Sequence, residues 1–180
     1  MSDASLKLRG RVRVVLGDNI DTDLIYPGRY LNITDREKTA EHLFELAYPN
    51  LRAELQRGEF IVAGKNFGCG SSREQAAAAL KFAGAGAIIA GSFARIFFRN
   101  SINLGLPAVV SQDAAQMCSA GDELEIDLVS GEIKNLTKGG GFPAAPLDPR
   151  AAELLEAGGL IPYLKRKYID PGRQTCLSIA

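Results

Sequence analysis

The chain has 180 residues, 46% of them hydrophobic and 23% charged, the balance of a globule that buries a core and not of a disordered or collagen-like polymer. That length suits one domain or two small ones and excludes a large multi-domain machine. Twenty-one basic residues against twenty-one acidic ones leave a formal charge of zero, so bulk electrostatics offer no footprint for nucleic acid or an anionic membrane, and any binding must come from a local site.

In chain order, residues 1–10 carry Lys7 and Arg9 but no hydrophobic signal core, and no later apolar run approaches the roughly 18 residues of a membrane span, so the expected location is cytoplasmic. Residues 10–16 alternate well enough for a strand, followed by an acidic loop, Asp18-Asn19-Ile20-Asp21-Thr22-Asp23. The spacing of Leu43, Leu46, Ala47, Leu51 and Leu55 predicts a helix over 39–57, interrupted near Pro49. His42, the single histidine, would lie on its polar face as a solvated residue. Three short apolar runs, 60–63, 87–90 and 107–110, suit strands buried on both faces. Helical stretches over 72–82 and 93–104 separate them, and strand-helix-strand-helix-strand is the grammar of a parallel sheet with right-handed crossovers.

The remainder changes character. Residues 123–129 and 132–136 read as a β-hairpin around Ser130-Gly131, and 138–141 as a glycine-rich loop. A short helix over 148–157 should be capped by Asp148, carry Pro149 in its first turn and end at Gly158-Gly159. Lys165, Arg166, Lys167 and Arg173 mark 165–180 as a loose basic tail, leaving 1–164 as the domain. The expected fold class is α/β, a central, mostly parallel sheet flanked by helices with a C-terminal hairpin and short helix. Cys69, Cys118 and Cys176 are far apart and form no C-x-x-C pair, which argues against a zinc knuckle or a self-contained cluster loop.

Chemistry concentrates in Gly64-Lys65-Asn66-Phe67-Gly68-Cys69-Gly70-Ser71-Ser72-Arg73-Glu74-Gln75, at the carboxyl end of a buried strand, where open α/β sheets hold ligands. Ser71-x-x-Glu74 and Ser72-x-x-Gln75 each fit a capping box, predicting a helix that starts at the serines. Its amino terminus and Arg73 would then favour a carboxylate or phosphate. The loop is neither a Walker A motif, since Lys65 precedes the glycines, nor a dinucleotide fingerprint, since Arg73 stands where the third glycine belongs. Two readings stay open: Ser71 and Ser72 as helix caps with Arg73 a surface charge, or an anion site in which a serine alkoxide, stabilised by amides and Arg73, acts as a base. Asp21 and Asp23 are either paired acids or turn formers, with the turn favoured. In Ser92-Phe93-Ala94-Arg95-Ile96-Phe97-Phe98-Arg99-Asn100, one face is core, and Arg95 and Arg99 are more easily structural than catalytic.

Four segments together resemble a known family: Asn19-Ile-Asp-Thr-Asp-Leu-Ile25, Gly64-Lys-Asn-Phe-Gly-Cys-Gly-Ser-Ser-Arg-Glu74, Gly91-Ser-Phe-Ala-Arg-Ile-Phe-Phe-Arg-Asn100 with Gly105-Leu-Pro107, and Gly159-Leu-Ile-Pro-Tyr-Leu164. They span nearly the whole chain and are similar to the small subunit of the 3-isopropylmalate dehydratase and homoaconitase group. The resemblance implies the swivelling β/α domain of aconitase. It also implies a large partner subunit that holds a [4Fe-4S] cluster, with none bound by this chain, and a small dicarboxylate substrate. By that likeness Ser71 is the proton-abstracting base, Arg73 binds a carboxylate, Ser72 and Asp23 join the site, and Gly68, Cys69 and Gly70 form the supporting loop.

Two departures bear on the substrate. Gln75 stands where the family string usually has histidine, and Asn32, after Tyr30-Leu31, is neither the arginine of homoaconitase-like members nor the apolar residue of isopropylmalate-type members. The absent arginine disfavours a tricarboxylate, because an unpaired carboxylate in a closed site costs several kcal/mol. Arg29, counted with Asn32 among the substrate-binding candidates, and Arg36 are close enough in sequence to reverse that preference. The leading expectation is therefore the small subunit of a hydro-lyase acting on a branched malate, foremost 3-isopropylmalate, and inactive alone. The alternatives are a homoaconitase or 2,3-dimethylmalate dehydratase small subunit and, in another class, a non-catalytic anion-binding assembly module.

Overall fold

The apolar runs form a sheet because each buries both of its faces. In the computed structural model, which describes residues 6–169, β1 (Lys7–Val15), β2 (Phe60–Ala63), β3 (Ala87–Ala90) and β4 (Ala108–Val110) pair in parallel. Side chains alternate along a strand. Ile61, Ala63, Ile88 and Ala90 thus enter one core, and Phe60, Val62, Ala87 and Ile89 the other.

The first core is closed by helices α1 (Thr22–Ile25), α2 (Arg36–Glu41), α3 (Leu51–Glu54), α4 (Glu74–Phe82) and α5 (Arg95–Asn103). Ala76, Ala77 and Ala79 of α4 are fully buried, and their small side chains let this helix lie against the sheet and against α1, α2 and α5. A larger residue at any of them would overpack the layer, at about 1–3 kcal/mol.

The hairpin belongs to the same sheet. Its strands β5 (Glu123–Asp127) and β6 (Glu132–Asn135), followed by β7 (Gly141–Pro143), continue the order to β4-β3-β2-β1-β5-β6-β7, with β5 antiparallel to the first half of β1. Five of the seven strands, β1 to β4 and β6, consequently point the same way. The sheet curls until its two edges meet: Ala145 N donates to Val110 O at 2.8 Å, and Ser111 Oγ donates to Pro143 O at 2.7 Å. Leu124, Ile126, Ile133 and Phe142 thereby cover the second core, beside the short helix α6 (Ala114–Met117). Curling also hides the edge groups that an open sheet would expose.

The C-terminal helix α7 (Pro149–Ala157) has the expected ends: Asp148 accepts from Arg150 N at 2.9 Å, and Gly158 takes the left-handed conformation, φ +84°. A further helix, α8 (Leu160–Tyr168), then packs with α7 against α5. It runs past residue 164, so the loose-tail expectation fails for 165–168, where Lys165, Arg166 and Lys167 sit in a last helical turn that favours positive charge. The rest of the expected tail, 170–180, lies outside the described residues. The predicted helix over 39–57 is also corrected. It is replaced by α2, a run of turns and α3, because Phe44 is held at φ +54° with its amide donating to Ile25 O at 2.9 Å.

Candidate active site

The chain leaving β2 is stitched on both sides. Toward the acidic loop, Lys65 N donates to Asp18 Oδ1 at 2.7 Å, Gly68 N to Ile20 O at 2.7 Å, and Thr22 N to Cys69 O at 2.8 Å. Toward the start of α5, Phe67 N donates to Ser92 O and Ala94 N to Phe67 O, both at 2.9 Å. The Phe67 ring is fully buried and meets Phe93 and Phe97 edge-on at 5.9 and 5.3 Å. Gly68 and Gly70 turn the backbone with φ of +74° and +92°, and Gly68 also presses against Phe97, so a side chain there has no room.

This scaffold ends in Ser71 and Ser72, both exposed, with neither hydroxyl hydrogen-bonded among the described residues. The capping-box expectation is corrected. Helix α4 begins at Glu74, its N-cap is Arg73 in extended conformation, and no side chain caps it. The cause is tertiary: the Ser71 carbonyl accepts from Thr22 Oγ1 at 3.3 Å and from Arg73 N at 2.8 Å, which holds the serines ahead of the helix. The hydroxyls are therefore free of the role that local pattern gave them.

Arg73 is drawn beside them by Asp23. The guanidinium, 19% exposed, hydrogen-bonds Asp23 Oδ1, which also accepts from Gly28 N at 3.2 Å. The Arg73 hydrogen bond is the main reason that the Asp23 carboxyl lies below its ordinary pKa. Asp21 plays a different part, capping α1 by accepting from Leu24 N at 2.7 Å, so the two aspartates are not paired acids. Cys69, partly buried, contributes its backbone to the bridge with Asp21.

Residues 28–33 lie against this centre as a short 3-10 helix, Gly28–Tyr30, and a turn carrying the exposed Asn32. Gln75 Nε2 donates to Leu31 O at 3.4 Å, so the residue that departs from the family string tethers the loop. Arg29 is engaged elsewhere: its Nη2 is 2.6 Å from Glu45 Oε1, and its guanidinium carbon lies 4.8 Å above the Tyr30 ring. His42 is not the solvated residue expected. It stacks on Tyr30 with ring centroids 3.6 Å apart, and its Nδ1 is 2.7 Å from Glu45 Oε2. Glu45, Thr22, Asp18 and Gln75 are not among the site residues expected from the sequence; Asp18 and Thr22 lie in its acidic loop and Gln75 departs from the family string, while Glu45 carries no such signal. Arg95 and Arg99 are exposed on α5 without an ion pair among the described residues.

Among the described residues no three His, Cys, Asp or Glu side chains gather to hold a metal ion, and no helix is long and apolar enough to cross a membrane. The donor set thus does not fit an iron-sulfur cluster within this part of the chain. What it presents is an α/β domain with two exposed hydroxyls and an oriented guanidinium at the carboxyl end of a parallel strand.

Comparison with known proteins agrees with that class. Residues 20–113 match the aconitase C-terminal domain. The 3-isopropylmalate dehydratase small subunit of Moorella thermoacetica is 56% identical over 84% of this chain and 91% of its own. The methanogen homoaconitase small subunit of Methanothermobacter thermautotrophicus is 51% identical, over 92% and 94%. The crystal structure of 3-isopropylmalate dehydratase from Methanocaldococcus jannaschii superposes with a TM-score of 0.83 at 42% identity, covering 90% of this chain and 95% of that one. The chain belongs to the aconitase C-terminal domain family, among the small subunits of its 3-isopropylmalate dehydratase and homoaconitase group.

Proposed function

We propose that this chain is the small subunit of a two-subunit hydro-lyase that dehydrates and rehydrates a branched malate, foremost 3-isopropylmalate. The observation that carries the reading is the pair of unpartnered, exposed hydroxyls of Ser71 and Ser72 beside an arginine oriented by Asp23. Ser71 takes the proton from the carbon next to a substrate carboxylate, and Arg73 holds that carboxylate with its forked donors. Ser72 donates a further hydrogen bond, and Asp23 fixes the arginine. Gly68, Cys69 and Gly70 hold the serines in place. The same positive neighbourhood that attracts a carboxylate lowers the cost of a serine alkoxide.

The names of the relatives support a large partner subunit, and we assign the [4Fe-4S] cluster to it, where such a group supplies Lewis acidity toward a departing hydroxyl. Asn32 supports isopropylmalate over a tricarboxylate, since it brings no charge to meet a third carboxylate. The homoaconitase reading stands second because a homoaconitase small subunit is 51% identical, below the 56% of the Moorella thermoacetica dehydratase subunit but above the 47% of the Thermodesulfovibrio yellowstonii one. Turnover of isopropylmalate and of homocitrate by the reconstituted complex separates the two. Ser71→Ala should lower turnover by on the order of a hundredfold without weakening subunit assembly. Near-normal turnover by that variant, or turnover by the chain alone, refutes the reading, whereas lost assembly with intact chemistry favours the anion-binding module.

A further inference from the structure

Glu45 collects three partners, two from the 28–33 loop and one from the end of α2: Arg29 Nη2 at 2.6 Å, the Tyr30 hydroxyl at 3.0 Å and His42 Nδ1 at 2.7 Å. The His42 hydrogen bond leads the contacts that hold its carboxyl below the ordinary pKa, so Glu45 is an anion at neutral pH. Tyr30 lies between two of these partners, stacked on His42 and under the Arg29 guanidinium. The loop that carries Tyr30 touches the candidate active site at both ends. A Cβ on Gly28 would stand 3.2 Å from Asp23 Oδ1 and 3.3 Å from Arg73 Nη2, and Leu31 O accepts from Gln75. Arg29 therefore follows directly on the residue whose backbone adjoins Arg73, so its side chain starts next to the candidate carboxylate site.

We infer that Glu45 is a specificity-determining positioning residue: by holding Arg29 beside Tyr30, it withholds from the substrate a nearby cation able to pair with a third carboxylate. The inference rests on the proposed function and deepens it. Asn32 brings no charge to the loop, and Glu45 removes the charge that Arg29 would otherwise bring. Both act against a tricarboxylate, the first by its side chain and the second by competition for a guanidinium.

The strength of the competition follows from exposure. The Arg29 and Glu45 side chains are 53% and 33% exposed, so the pair is a weak surface-type ion pair and its loss should move a selectivity ratio by about fivefold. The test uses the chain assembled with its large subunit and compares kcat/KM for homocitrate with that for 3-isopropylmalate. Glu45→Ala should raise the ratio about fivefold, and Glu45→Gln, which keeps the shape and loses the charge, should raise it less. In the Glu45→Ala, Arg29→Ala double variant the ratio should return to the wild-type value. An unchanged ratio in Glu45→Ala, or a rise that survives the loss of Arg29, overturns the inference.

A second measurement does not depend on turnover. In the isolated chain, the amides of Tyr30, Leu31 and Ile33, which donate to Pro27, Gly28 and Tyr30 carbonyls, should exchange with solvent faster in Glu45→Gln than in wild type. Unchanged exchange overturns the inference even if the wild-type complex turns over neither acid. Accelerated exchange in the isolated chain, together with a complex that turns over neither acid, supports the clamp and instead refutes the proposed function.

Discussion

Replacing Gly68 by alanine tests whether the serine loop is positioned by steric necessity. Two penalties act at that residue. Its φ of +74° is left-handed, which costs an alanine roughly 1–2 kcal/mol. The new Cβ would also stand 2.5 Å from Cβ and Cδ2 of Phe97, and Phe97 cannot retreat, being 2% exposed and wedged beside Phe67 and Phe93. Overpacking of that kind costs about 1–3 kcal/mol, so the total is about 2–5 kcal/mol. For a chain of this size each kcal/mol lowers the midpoint by roughly 2–4 °C, giving a fall on the order of 5–20 °C. Gly121→Ala supplies the control, since Gly121 has φ +93° but no heavy atom within 4 Å of the added carbon. It should show the backbone penalty alone, about 1–2 kcal/mol. Urea and thermal unfolding of both variants measure the difference. Equal losses in the two would refute the claim that Phe97 shapes the loop, and a Gly68 variant with native stability would refute both penalties.

Three further outcomes are expected. Asp23 should titrate below 3.8, the ordinary aspartate value, and Arg73→Ala should bring it back toward that value, as read by carboxyl NMR. Asp122, buried and accepting from Ser119 N, Asn135 Nδ2 and Lys138 Nζ, is pushed up by burial, but its hydrogen bonds outweigh that and hold its pKa down. Its contribution is therefore present above the unfolded value of about 3.9 and lost as pH falls through the lower folded value, so Asp122→Asn should cost about 1–3 kcal/mol at neutral pH and progressively less in acid. Denaturation midpoints that differ equally at pH 7 and pH 2 would contradict this. Burial pushes the Cys118 thiol up to about 11. Against a free thiol near 8.5, its alkylation by iodoacetamide at pH 8 should be at least about a hundredfold slower in the folded chain, while a Cys118 that reacts as fast as in denaturant would contradict its burial.

Several features were legible in the sequence because they depend on local pattern. The runs at 60–63 and 87–90 are strands buried on both faces, and Asp148, Pro149 and Gly158 delimit a helix by side-chain and backbone chemistry within a few residues. What escaped depends on distant contacts. Leu43, Leu51 and Leu55 are buried as their spacing suggests, yet they do not share one helix, because an amide of Phe44 is claimed by Ile25. Ser71 satisfies a capping pattern, yet Thr22, 49 residues away, claims its carbonyl. The stacking of His42 on Tyr30 joins a helix end to a loop, and the closure of the sheet through the three-residue β7 joins elements with no local signal of pairing.

The Asp23–Arg73 pair also bears on why such a site would be divided between two chains. One oxygen of Asp23 engages Nη1 of Arg73, and a guanidinium has five donors, so the contact orients the fork and leaves most of its capacity for another anion. In the chain by itself Asp23 is 59% exposed, and a solvated pair of this kind contributes little energy. A partner that covered Ser71, Ser72 and Arg73 would exclude water and strengthen each of these interactions, without moving any residue of this domain. The predicted signature is a difference in salt response: added salt should shift the Asp23 titration in the isolated chain, and shift it less once the large subunit is bound. Equal salt sensitivity in the two states would mean that assembly leaves the arginine open to solvent, and that its carboxylate-binding strength comes from elsewhere.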